Sequence, residues 1–183
     1  MSHLLQQSLS QLIIVDMQDK LAHIMPLEQM QLTTRNCNIL VQAANLLSIP
    51  IVVTEQYPQG LGATLPEISQ QLNPNKPIAK TAFCATGEAK FNQQLHRDQS
   101  QIVLTGMEAH ICVLQTALSL MQMGKQVFVA EDAIISRNPA NKANAIARMR
   151  EAGCIITNTE SIVFEWLGNA NHQAFKAVSK LIR

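Results

Sequence analysis

Cys112 is the side chain in this sequence best placed to do chemistry. It lies in "TGMEAHICVLQT" (105–116), where an apolar strand runs into an apolar helix. In the first turn of that helix it meets unpaired N–H groups and the positive end of the helix dipole. Such a place favours an anion and so lowers a thiol pKa, and the thiolate is the nucleophilic form. Position alone leaves two readings even, because free cysteines usually fill cores as small apolar residues. Asp16 closes the apolar run "LIIV", at a depth where a carboxylate needs a partner. Read alone it is a turn-capping aspartate. Lys80, flanked by apolar residues in "PIAKTAF", reads alone as a surface lysine. Together the three supply a base, a cation and a thiol: Asp16 removes the proton, and Lys80 steadies the charges on carboxylate and thiolate. Cys37 and Cys154 fall inside apolar helix and strand patterns and read as core, and Cys84, in "TAFCAT", as structural.

These residues need a scaffold, and strand-like and helix-like segments alternate along the chain. "QLIIV" (11–15), "IPIVVTE" (49–55), "QIVLTGM" (101–107), "KQVFVAED" (125–132) and "CIITNTE" (154–160) read as strands, with a sixth short strand near Pro77–Lys80. Helical spacing runs from Leu27 to Leu47 and again over 111–123, where Ile111, Leu114, Leu118 and Met121 recur on one face. Gly124 suits a helix end, and Asn138-Pro139 reads as an N-cap followed by the first helical position. The stretch 56–80 reads as a loop excursion with one short helix. Repeating βα units with strands apolar throughout predict an α/β fold, a parallel sheet covered by helices on both faces. Ligands of such sheets bind at the carboxyl ends of the strands, where Asp16, Glu55, Lys80, Glu108 and Asp132 fall.

Composition narrows the partners. The 183 residues, 47% hydrophobic and 15% charged, fit one globular domain over 1–183. A formal net charge of +1 gives no hint of nucleic acid or an anionic membrane as partner. No apolar run is long enough to span a bilayer, and the first residues lack a signal-peptide pattern, so a cytoplasmic location is expected. Four cysteines without a CxxC pair and five histidines without ligand spacing predict no metal site. "VDMQDK" after the first strand is not a GxGxxG turn, so no dinucleotide cofactor is expected.

"IIVDMQD", "KTAF", "TGMEAHICVLQTA" and "VAEDAIISR" together resemble the isochorismatase-like cysteine hydrolases, over about Leu12 to Leu167. "TEQYPQGLG" and "EAHICVLQT" are most similar to the branch called isochorismatase domain-containing proteins. The resemblance implies a three-layer αβα sandwich on a six-stranded parallel sheet, assembled into a homo-oligomer, a dimer or larger. It implies an Asp–Lys–Cys triad of Asp16, Lys80 and Cys112, acting on a small amide through a thioester. It further implies an oxyanion hole from the N–H groups of Glu108 and Cys112, and a cis peptide at Met107–Glu108. Gln18, Tyr57 and His110 are the expected pocket residues; Glu55 and Gln56 beside Tyr57 read either as pocket lining or as plain loop polarity. "VVTEQYPQG" has no D-x-H metal motif such as nicotinamidases of the family carry, which speaks against nicotinamidase activity and bound zinc. The alternative is an oligomeric binding or scaffold protein with a little-used hydrolase site.

Overall fold

The computed structural model describes residues 3–72 and 76–182. Six strands form one parallel sheet: β1 (Ser10–Val15), β2 (Ile51–Gln56), β3 (Ile78–Lys80), β4 (Gln101–Met107), β5 (Gln126–Ile135) and β6 (Ile155–Thr157). Their order is β3-β2-β1-β4-β5-β6. Helices cover both faces, giving the three-layer α/β sandwich expected from the strand pattern. β1 and β4 are buried at every position, as continuous apolar runs between two helical layers must be.

On one face lie α1 (Leu27–Leu46) and α4 (Thr159–Leu167); on the other, α2 (Leu114–Gln122) and α3 (Pro139–Glu151). α1 follows Pro26 and buries Met30, Thr33, Cys37, Leu40 and Ala44, a stripe at helical spacing. Each fully buried aliphatic of that stripe, such as Leu40, contributes roughly 1.5–3 kcal/mol over an exposed one. α3 opens as its residues dictate: Asn138 accepts from Ala140 N, and Pro139 takes the first helical position.

Three elements differ from the sequence reading. β5 continues past Asp132 to Ile135, because a bulge interrupts its pairing with β4. Leu104 pairs with Val129 and Gly106 with Ile134, so five steps on β5 match two on β4. β6 stops at Thr157, because Asn158 already caps α4 through Ser161 N. The 56–80 excursion holds two single helical turns, Pro58–Leu61 and Pro66–Ser69; its residues 73–75 lie outside those described. Among the described residues no helix is long and apolar enough to cross a membrane.

The strand order reverses direction between β1 and β4, the point at whose carboxyl end sheets of this kind take their ligands. Asp16 follows β1 directly, Glu108 follows β4, and Lys80 is the last residue of β3.

Candidate active site

Asp16 leaves β1 with φ +50°, a conformation uncommon outside glycine and least so for Asp and Asn. Its backbone N–H donates to Thr54 O at 3.1 Å. Thr54 Oγ donates to Asp16 Oδ1 at 2.7 Å, while Oδ2 faces Lys80 Nζ at 2.7 Å as an ion pair. Both charged side chains are fully shielded from solvent. A buried charge pair persists only when its remaining groups are satisfied. Here Lys80 Nζ also donates to Gln56 Oε1 at 2.6 Å and to the carbonyls of Ala82 and Phe83 at 3.2 Å each.

The chain from β4 into α2 turns twice within a few residues. Gly106 has φ +112°, and a Cβ there would lie 2.0 Å from Val15 O. The Met107–Glu108 peptide is cis. Residues Ala109–Val113 then form a π-turn rather than the α-helical turn expected from apolar spacing. Glu108 O accepts both Ile111 N at 3.1 Å and Val113 N at 3.3 Å, the second bond spanning five residues. Apolar periodicity carries no signal for one extra residue in a turn.

Cys112 sits in this π-turn, 6% exposed, where the charges of both Asp16 and Lys80 act on its thiol. The expectation of a lowered thiol pKa is overturned. Burial pushes the Cys112 thiol up to about 12; the Asp16 carboxylate adds to the rise and Lys80 opposes it. A helix terminus acts weakly beside desolvation and an adjacent anion, so the resting group is a protonated thiol.

The remaining sequence candidates take other places. Glu108 is buried, and its carboxylate accepts Arg137 N at 3.0 Å and pairs with Arg137 Nε at 3.5 Å. His110 Nδ1 is 2.9 Å from Ser136 Oγ and Nε2 is 3.4 Å from Asn141 Nδ2, so its ring ties the π-turn to the start of α3. Gln18, expected in the pocket, is fully buried: its amide donates to Gln56 O and Gly62 O and accepts from Gln56 N. Glu55 accepts from Thr64 N and Oγ, and Asp132 from Thr159 N and Oγ at the start of α4. Tyr57 is 56% exposed, has φ +37°, and lines a cavity of about 200 Å³ with Lys80, Thr81 and Glu88. Its ring lies against Gly60, where a Cβ would come within 2.3 Å of it. Sequence reasoning missed Thr54, a neutral polar residue without a motif, whose signal is its place at the end of an apolar strand. It also missed the hold of Gln56 on Lys80, reading that amide as pocket lining or loop. Among the described residues no three His, Cys, Asp or Glu side chains cluster to hold a metal ion.

The pattern of the Isochorismatase domain matches residues 10–161. The chain belongs to the isochorismatase family. It is a hydrolase of that family, whose specific reaction the family does not fix. Isochorismatase domain-containing protein 2 of Bos taurus is 36% identical over 174 residues, 95% of this chain and 83% of the relative. A structure of MAR1 ribonuclease from Caenorhabditis elegans superposes with a TM-score of 0.91 at 36% identity, covering 97% of this chain and 91% of that one. The YcaC gene product of Escherichia coli, described as an octameric hydrolase of unknown specificity, superposes with a TM-score of 0.90 at 21% identity, covering 99% and 90%. That similarity extends the isochorismatase fold to distant sequences.

Proposed function

We propose that this chain is a cysteine hydrolase that cuts the C–N bond of a small amide through a thioester on Cys112. One observation carries the reading: Asp16 and Lys80 form a shielded pair at 2.7 Å whose two charges act on the buried Cys112 thiol. Such a thiol attacks only if a base takes its proton during the attack. Asp16 Oδ2 is that base. Sγ bonds to the carbonyl carbon, and the carbonyl oxygen takes the negative charge between the N–H groups of Glu108 and Cys112. As the tetrahedral state collapses the C–N bond breaks, and the amine leaves with the proton held on Asp16. Water then gives a proton to Asp16 and its oxygen to the thioester carbon. The carboxylic acid departs, and the proton returns to Sγ. Lys80 balances the charge on Asp16 and on the developing thiolate throughout.

The test is release of ammonia or amine from a panel of small amides, with the wild type and Cys112→Ala. Turnover should fall at least about a thousandfold in the variant. Equal turnover by both proteins would overturn the nucleophile. The octameric assembly of the YcaC relative supports a working homo-oligomer here, built from one domain per chain.

A second reading has one observation in its favour: the 36%-identical nematode relative is described as a ribonuclease. On that reading the same site hydrolyses RNA, in place of the expectation of no nucleic-acid partner. Labelled RNA incubated with both proteins decides it, since cleavage by the wild type alone would replace the amide.

A further inference from the structure

We infer that Gln56 is a positioning residue for Lys80, acting on Cys112 through the ammonium it holds. The inference rests on Cys112 as nucleophile and goes beyond it. Gln56 and Lys80 are register partners at the ends of β2 and β3, so their side chains leave the sheet on the same side. The Gln56 amide oxygen lies 2.6 Å from Lys80 Nζ, and its NH2 donates to Thr81 O at 2.8 Å. These two contacts select one orientation of the amide. Turned over, its NH2 would face an ammonium and its oxygen a carbonyl.

The backbone beneath is fixed as firmly. Gln56 N donates to Gln18 Oε1 at 2.7 Å, and Gln18 Nε2 returns a bond to Gln56 O at 3.0 Å. A buried glutamine thus holds the strand end from which the second glutamine reaches Lys80. A second arm closes from the other side. Glu88 accepts Thr81 N and Ala82 N, steadying the segment whose Ala82 and Phe83 carbonyls also face Nζ. Four oxygens therefore surround an amine with three N–H groups to give. Gln56 takes one, and by doing so fixes the direction of those left for Asp16 and the thiol. Without it the ammonium is free to swing toward the Ala82 and Phe83 carbonyls, away from a thiolate forming on Cys112.

The experiment measures alkylation of Cys112 by iodoacetamide between pH 7 and 10, by peptide mass, with the half-exposed Cys84 as internal reference. Gln56→Met keeps the length and removes both amide atoms. Loss of one hydrogen bond to a charged group should slow Cys112 about tenfold and shift its pH–rate curve upward, with the rate of Cys84 unchanged. In an Asp16→Asn/Lys80→Met background, which has no ammonium, the same substitution should change nothing further. A Gln56→Met rate equal to wild type, while Lys80→Met is slow, overturns the positioning role and leaves the nucleophile standing. Continued slowing by Gln56→Met in the double-variant background overturns it as well, since the effect then bypasses Lys80. A Cys112 rate that none of the substitutions alters sinks both readings together.

Discussion

Asp16 and Lys80 are a fully shielded ion pair, and neither charge has water to fall back on. Removing one partner leaves the other buried and uncompensated, which costs about 3–5 kcal/mol, whereas replacing both with neutral groups is often close to neutral. Asp16→Asn and Lys80→Met should each lower stability by about that amount. The double variant should lose less than either single one, as read from urea unfolding of the four proteins. Additive losses would mean that the pair does not interact as described. At this scale the sequence was a fair guide to which residues meet, because charged groups beside apolar runs are conspicuous. It misled on the state of Cys112, because burial and a neighbouring carboxylate outweigh a helix end, and neither is visible along the chain. The roles of Gln18 and Gln56 were hidden for a related reason. A neutral amide carries no signature until its partners are in place.

At the scale of elements, β4 must run close against β1 up to the strand ends, where Val15 pairs with Gly106. Gly106 permits this, since a Cβ there would lie 2.0 Å from Val15 O and 2.7 Å from Val15 N. Gly124 shares a positive φ, at +80°, but a methyl group there would meet nothing within 4 Å. Gly106→Ala should therefore cost about 3 kcal/mol or more, against about 1 kcal/mol for Gly124→Ala, where only the backbone conformation is disfavoured. Denaturant midpoints of the two variants check the contrast, and equal losses would mean that conformation alone matters. Strand positions were legible from apolar runs, and so were the caps of α3. The β5 bulge was not, because Glu131 and Asp132 read as the polar end of a strand, whereas the apolar pairing resumes at Ile134 with a shift of three. The π-turn was hidden in the same way.

For the molecule as a whole, the layered parallel sheet followed from alternation of element types, and the resemblance carried the family. Three thiols sit in the interior of that structure. Burial pushes Cys37 and Cys112 up to about 12 and Cys154 to about 11, from an ordinary 9.0. The folded chain thus holds these protons more tightly than the unfolded one. Their contribution to stability is complete below the ordinary thiol value of 9.0 and is lost as pH rises toward the raised values. Above it each thiol should weaken the fold by up to about 1.4 kcal/mol per pH unit. Urea midpoints measured from pH 8 to 10.5 should fall, and Cys37→Ala should flatten the slope. A flat wild-type profile would contradict three buried thiols.

The pairing of β1 with β4 has a consequence in time. Leu12 lies opposite Val103, 91 residues further along, and residues 16, 80 and 112 come together only through that long closure. A nascent chain that has emerged only as far as β3 holds a carboxylate and an amine with no thiol between them. Until the central strands have joined, Cys112 is an ordinary thiol on an unfinished chain, so the nucleophile comes into being only with the completed sheet.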